Sequence, residues 1–427
     1  MRLVFIFTLV FLVTDGQAFS QNQTLNQTPT QAPNHAPNHA QSLTPEQAQL
    51  QASWEAFCEE LKAKGQLILS QDTGNPQDTA AGYRYLAMMT AMAIDRAQFA
   101  EVPTRPVLVR IIDQYRKAGL DSPDNKYWMT KFDPDGEYVI RGRRGSGAYL
   151  GFQFNIDDGA SANLNHQDMV FGEDGRFELY LTDKKRGENW LSLPKGTNGL
   201  YVREIFSDWD KEKPSTMWIE RLDNPPIAPV PTAQSVSQNF EKMSASLEAG
   251  LLRWKRYVSI NRSRAMNAIS PPIGTASQGG SPDNLYSGGY FKLAPDEAML
   301  IELTPVEADY WAVQLGSIWF QSLDYQHAQT SLNSFQTETD PDGKIRLIVS
   351  AQDPGYANWL DTTGLAEGVI YMRWNKAKRD PSAPSAQVIK FAELSKLMPA
   401  DSQRVNPAQR KKDIAARYAS VARRFAQ

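Results

Sequence analysis

Between Tyr127 and Leu222 apolar and polar residues alternate with a period of two. In Tyr149-Leu150-Gly151-Phe152-Gln153-Phe154, the side chains of Leu150, Phe152 and Phe154 fall on one face and those of Tyr149, Gly151 and Gln153 on the other, the signature of a half-buried strand. The same phase returns downstream, where Trp311, Val313 and Leu315 take the apolar places and Tyr310 and Gln314 the others. Phe177, Leu179 and Leu181 likewise find counterparts in Ile345, Leu347 and Val349. Half-buried antiparallel strands joined by turns such as Asp174-Gly175 and Asp342-Gly343 predict a β-sandwich in each half.

A repeated motif puts the two halves in register. Ser122-Pro123-Asp124-Asn125-Lys126-Tyr127 reappears as Ser281-Pro282-Asp283-Asn284-Leu285-Tyr286, and later landmarks follow in the same order, Asn189-Trp190-Leu191 matching Asn358-Trp359-Leu360. The separation between partners holds constant inside strands and grows only where turn residues cluster, as insertions in a duplicated unit do. Each copy of the motif precedes a first strand, which makes it an architectural start signal.

Helical periodicity flanks and links the two halves. Thr44-Pro45-Glu46-Gln47 carries a capping hydroxyl and a proline at the first helical position, and Leu50, Trp54, Phe57 and Leu61 then recur at helical spacing. Two more helices are expected at roughly 79–100 and 106–118. A proline-rich run from Asp223 to Pro231 marks a linker, and a long helix carrying Val236, Phe240, Met243, Leu247, Leu251 and Trp254 follows to brace the two sandwiches. From Ala408 to Phe425 the stripe Ile414, Tyr418, Val421 and Phe425 predicts a docked helix with a solvated basic face. The expected fold is mainly β with flanking helices: leader 1–20, linker 21–43, helical segment 44–120, first sandwich 121–224, linker and bracing helix 225–260, second sandwich 261–400 and carboxyl-terminal helix 401–427.

Composition narrows the partners. A chain of 427 residues with 41% hydrophobic residues, 22% charged residues and a net charge of -3 has no global attraction for nucleic acid. Arg2, an apolar run from Leu3 to Val13 and small residues near Ala18 read as a removable export signal, too short to span a bilayer. The expected location is therefore the periplasm or the exterior, with no transmembrane segment after removal. The lone Cys58 forms no internal disulfide. From Gln21 to Leu43 the chain is rich in Asn, Gln, Thr and Pro and reads as a flexible spacer, with His35 and His39 as weak metal ligands at best. His166 and His327 alone remain in the ordered region, so neither a histidine metal cage nor a cofactor is expected.

The run Leu293-Ala294-Pro295-Asp296-Glu297-Ala298, then Tyr310 to Leu315, Trp319, Asp353-Pro354-Gly355-Tyr356-Ala357-Asn358-Trp359-Leu360-Asp361-Thr362-Thr363-Gly364 and Arg373-Trp374 resembles the bacterial domain of unknown function 1214 family. The resemblance is strongest over about 285–380 and implies β-sandwich, jelly-roll-like domains. It supplies no reaction and no catalytic residue. The first half keeps Asn189-Trp190-Leu191 and lacks the flanking acids.

Candidate chemistry gathers where the copies diverge. Asp353 and Asp361 bracket Trp359, an arrangement open to acid-base work on a stacked sugar, although turn formation and core filling account for the same residues better. His327 follows Asp324 and Tyr325 and is the candidate general base; Asn358, Trp319 and Tyr325 complete the ligand-facing set. In the first half Arg141, Arg143 and Arg144 stand among glycines, where guanidinium groups and amides could hold an anion, whereas Glu302 replaces Arg141 in the second. These opposite charges suggest pairing across a domain or subunit contact, and a homo-oligomer fits that reading. Two functions follow: an exported protein that binds a saccharide or an apolar small molecule or serves in assembly, and a metal-independent hydrolase or lyase using Asp353, Asp361 and His327.

Overall fold

The computed structural model describes residues 43–71, 75–97, 103–156, 159–193, 197–223 and 230–426. The leader, the Asn/Gln/Pro-rich spacer with His35 and His39, and most of the proline-rich linker lie outside the described residues.

Eight strands build the first half: β1 (Asn125–Lys131), β2 (Tyr138–Arg143), β3 (Tyr149–Ile156), β4 (Gly159–Asn165), β5 (Arg176–Thr182), β6 (Trp190–Ser192), β7 (Gly199–Ile205) and β8 (Thr216–Arg221). Two short strands, β9 (Ala268–Ile269) and β10 (Ile273–Gly274), precede the second half. That half holds β11 (Asn284–Lys292), β12 (Glu297–Leu303), β13 (Tyr310–Gly316), β14 (Ser331–Asn333), β15 (Ile345–Ser350), β16 (Trp359–Asp361), β17 (Glu367–Asn375) and β18 (Ser385–Lys390). The sheets of the first half run β1-β7-β3-β4 and β6-β5-β2-β8; those of the second run β10-β11-β17-β13-β14 and β16-β15-β12-β18. Adding ten to each strand number of the first half reproduces the order of the second. Even the one parallel pair recurs, β5 with β6 and β15 with β16. The molecule is a tandem pair of β-sandwiches.

Each sandwich closes on the apolar residues predicted by the alternation. Leu150, Phe152 and Phe154 meet Phe177, Leu179 and Leu181 in the first core, and Trp311, Val313 and Leu315 meet Ile345, Leu347 and Val349 in the second. The sheets containing β3 and β13 turn their other faces toward one another. There the repeated motif acts at a distance from itself. Asp124 accepts hydrogen bonds from Trp209 Nε1 (2.6 Å), Tyr310 Oη (2.6 Å) and Asn333 Nδ2 (2.7 Å). Its duplicate Asp283 accepts from Tyr149 Oη (2.7 Å), Asn163 Nδ2 (3.0 Å) and Asn165 Nδ2 (3.3 Å). Tyr149 and Tyr310 occupy equivalent strand positions, as do Asn165 and Asn333. Each motif therefore reaches into the opposite half, and the two contacts are reciprocal.

The helices α1 (Pro45–Leu69), α2 (Pro76–Asp95) and α3 (Ala233–Arg264) form a separate apolar layer. Phe57, Leu86, Met89, Met243, Leu247 and Leu251 meet there, against Trp319 of the second half. Thr44 and Thr232 both cap through capping boxes. The helix expected at 106–118 does not form. Val109 instead makes a bridge with Met129, and Asp113 accepts the amides of Tyr115 and Arg116 at 2.9 and 2.8 Å. The β-branched Val107, Val109, Ile111 and Ile112 favour extended backbone, and the Asp113 turn competes with helix locally.

A short helix, α4 (Leu394–Leu397), and the long α5 (Pro407–Phe425) complete the chain. The predicted polarity of α5 needs correction: Arg410, Arg417 and Arg424 are buried with Val421 and Phe425, while Tyr418 is half exposed. Arg410 pairs with Asp353 (3.0 Å) and donates to Gln329 (2.9 Å) and the Tyr356 carbonyl (2.6 Å). The indole of Trp209 lies between Arg417 and Arg424, 4.7 and 4.5 Å from its ring. Guanidinium groups spaced seven apart enter the interior because carboxylate, carbonyl and aromatic partners meet them there. Among the described residues no helix is long and apolar enough to cross a membrane.

Candidate functional site

The two outer sheets, equivalent by duplication, differ in what covers them. In the second half Ala298, Leu300 and Ile348 point outward and are sealed by Tyr356, Leu394 and Met398. Ser402 reaches the same surface and donates to Asp340 at 2.6 Å, leaving the Arg346 side chain only 10% exposed. On the first half's outer sheet, Glu178, the counterpart of Arg346, is 46% exposed. Trp218, in the place of Ser385, is 51% exposed. Here the sheet carries a cleft of about 700 Å³.

Strand alternation sets the lining. Residues pointing away from the core are Arg141 and Arg143 on β2, Arg176, Glu178 and Tyr180 on β5, and Thr216 and Trp218 on β8, and all of them border the cleft. Register places Arg141 opposite Glu178 on one side and Trp218 on the other. Val170, Phe171, Gly187 and Glu188 supply the rim. Gly187 adopts φ +66°, and a Cβ there would come within 2.6 Å of the Tyr180 ring; glycine lets the rim close onto that ring. On the rim, the guanidinium of Arg186 stands 5.0 Å over Tyr180.

The polar groups of the cleft are tied to one another. Arg141 pairs with Glu178 at 2.7 Å and also with Glu220. Arg143 and Arg176 share Asp174 at 3.0 and 3.1 Å. Tyr180 Oη donates to Glu178 and Trp218 Nε1 to Glu220, both at 2.6 Å. The Tyr180 hydroxyl and then Arg141 hold Glu178 below the usual carboxylate range; the Trp218 indole does the same for Glu220, with Arg141 adding to it. Both carboxylates therefore stay ionised as acceptors. The three arginines meet three carboxylates, so the surface has hydrogen-bonding capacity without surplus charge.

Arg144 leaves this group. It turns inward, donating to the Gly145 carbonyl at 3.1 Å and approaching Glu204 at 3.5 Å. Within this chain Arg141 does not pair with Glu302. Glu302 pairs with Lys344 at 2.6 Å and Arg346 at 3.0 Å, so the charge swap between the copies is neutralised within each sheet.

The remaining candidates sit away from this cleft; Asp353 and Asp361 are near enough to interact and are linked through Arg410 and Gln329. Asp353 is held by Arg410 and accepts the Gly355 amide at 2.8 Å. Asp361 accepts the Thr363 amide at 2.7 Å, and burial, aided by nearby Asp353, raises its pKa. His327 is exposed, bonded through Nδ1 to Asp324 at 2.9 Å and stacked on Tyr418 at 5.3 Å. No hydrogen bond joins any two of the three. Trp359 is buried and donates to the Ser350 carbonyl at 3.1 Å, as Trp190 donates to that of Thr182 at 3.2 Å. Asn358 bonds the backbone of Glu338. Trp319 donates to the Asp78 carbonyl at 3.0 Å within the helical layer, and Tyr325 is buried under Lys117, whose Nζ lies 4.3 Å from the ring. Among the described residues no group of three or more His, Cys, Asp or Glu side chains is placed to hold a metal ion.

Sequence reasoning found Arg141 and Arg143 but passed over Trp218, Tyr180, Arg176 and Glu178. A signal was present: Thr216, Trp218 and Glu220 alternate with Met217 and Ile219, which placed an indole on an outward face.

A family model described as "Protein of unknown function (DUF1214)" matches residues 297–379. The crystal structure of an uncharacterised protein from Burkholderia cenocepacia superposes with a TM-score of 0.76 at 31% identity, covering 81% of this chain and 99% of its own. A protein from Vibrio parahaemolyticus aligns at 13% identity over 72% of this chain and 98% of its own, with a TM-score of 0.41. No curated protein matches the sequence. Tandem sandwiches, the DPG-x-x-NWLD-x-x-G string and near-complete coverage of the Burkholderia protein agree: the chain belongs to the DUF1214 family.

Proposed function

We propose that this is an exported binding protein whose first sandwich holds a neutral saccharide on its outer sheet. The observation that carries the reading is the cleft beside Trp218, on the outer sheet that the described residues leave more exposed than its counterpart. A sugar ring has apolar faces and a polar rim. The half-exposed indole suits the first, and the Arg141–Glu178–Glu220 network, rich in donors and acceptors, suits the second. Balanced charge argues against a phosphate, sulfate or carboxylate ligand. Since Glu178 and Glu220 are both held ionised, neither is kept protonated as a glycosidase acid must be, which favours binding over cleavage. The leader-like amino terminus supports export.

The test is a glycan-array screen followed by calorimetry on wild type, Trp218→Ala and Arg141→Ala. Binding of an uncharged glycan that each variant weakens by about tenfold or more supports the proposal; no glycan bound by wild type rejects it. The hydrolase reading retains one observation, the raised pKa of Asp361. It requires turnover of a glycan or ester that Asp361→Asn abolishes.

A further inference from the structure

Resting on the saccharide reading, we infer that the ligand is a chain of several sugars and that its path continues over β8 into a second depression. Two aromatic residues of the cleft stand on different strands. Tyr180 on β5 and Trp218 on β8 are separated by β2, and they stand opposite Val139 and Arg141 respectively, two residues apart along that strand. With strands ~4.8 Å apart and a rise of ~3.4 Å per residue, the separation is about 12 Å. A ligand of more than one sugar is the length that spans both backbone positions.

Among the described residues the second depression adjoins the same strand as Trp218. β8 is the last strand of its sheet, and beyond it lies a depression of about 460 Å³ bordered by Arg105, Pro106, Val107 and Glu220. Glu220 links the two spaces. Its carboxylate accepts the Trp218 indole and pairs with Arg141 in the first, and the residue forms a wall of the second. Val107 is 50% exposed, nearly as open as Trp218 at 51%, and offers an apolar contact to a further ring. Arg221, also in that wall, is neutralised by Asp133 and Asp223 at 3.2 and 2.8 Å. Arg105 adds a guanidinium to that wall as a donor for sugar hydroxyls. A chain lying across Trp218 would have Tyr180 on one side and Val107 on the other.

The experiment compares disaccharides with hexasaccharides of the β-1,4-linked gluco, xylo and manno series by calorimetry, using wild type, Val107→Asp and Arg105→Ala. Both substitutions are at the surface and leave thermal melting unchanged. The expected result is a hexasaccharide bound about tenfold or more tightly than the disaccharide of its series, with Val107→Asp removing that gain and sparing disaccharide binding. Arg105→Ala reduces the same gain. Equal affinity for both lengths overturns the inference, as does a loss from Val107→Asp that falls equally on both. Absence of binding at every length instead defeats the saccharide reading beneath it.

Discussion

Asn358 bonds both backbone groups of Glu338, accepting its amide at 2.9 Å and donating to its carbonyl at 2.7 Å. Asn189 treats Val170 in the same way, at 2.7 and 2.8 Å. A side-chain amide offers a donor and an acceptor in one plane, so it completes a loop that cannot pair with a strand. Truncating it strands two backbone groups. Asn358→Ala is expected to lower stability by about 2 kcal/mol in chemical denaturation, and Asn189→Ala by a similar amount through loss of the rim beside Tyr180. His166 gives a pH signature instead. Its Nδ1 accepts the Leu150 amide at 3.3 Å, and burial, with Arg144 and Lys376 nearby, pushes its pKa down to about 4. The unfolded ring binds its proton near pH 6.5, so between those values the unfolded state holds more protons and stability rises with pH. The contribution is present above about pH 6.5 and is lost on acidification toward pH 4. Allowing for solvent screening of a partly exposed ring, its size is of order 2 kcal/mol. Urea unfolding of wild type and His166→Gln across that window should show the slope shrinking in the variant; identical slopes would remove His166 from the account.

At the scale of elements, the edge strand and the docked helix make opposite predictions. Trp218 on β8 packs little and is half exposed, so Trp218→Ala should change stability by no more than about 0.5 kcal/mol while weakening binding by about tenfold or more. Arg410 on α5 is buried among Asp353, Gln329 and the Tyr356 carbonyl; Arg410→Ala should cost about 3 kcal/mol by leaving these groups without their donor. Melting curves of the two variants distinguish a ligand surface from a structural anchor. The same contrast shows what local sequence can convey. Alternation exposed the strands, their duplication and both cores, because burial on one face of a sheet leaves a period of two. It could not place Arg410, Arg417 and Arg424 inside, since their partners Asp353, Ser331, Pro123 and Trp209 are distant in the chain. The segment around Val109 was legible but misread, since its β-branched residues already favoured the extended backbone that bridges Met129. The cleft was half legible for a related reason: Arg141 stood out against Glu302, but the exposure of Trp218 depends on which outer sheet the segment around Leu394 and Met398 covers.

For the whole molecule, the duplicated aspartates decide whether two sandwiches fold as one. Asp124 is 1% exposed and receives three donors, two of them from the second half. Asp283 receives its three from the first half and is less buried. Around them Tyr149, Ile205, Tyr310 and Ala312 form an apolar patch shared by both inner sheets, and α5 crosses from Asp353 of the second half to Pro123 and Trp209 of the first. Such an interface couples the halves, so wild type should melt in one calorimetric transition whose calorimetric and van't Hoff enthalpies agree. Asp124→Ala leaves the Tyr310 hydroxyl, the Trp209 indole and the Asn333 amide without their shared acceptor, at a cost of about 3 to 5 kcal/mol. Asp283→Ala should cost less, because Asp283 itself is only partly buried. Both losses fall on the contact between the sandwiches and spare their cores, so the double variant should separate into two transitions, each with about half the enthalpy expected for the whole chain. A double variant that still melts as one unit would place the coupling in α5 and the helical layer, and Arg410→Ala in the same background would then be the substitution that divides the melt.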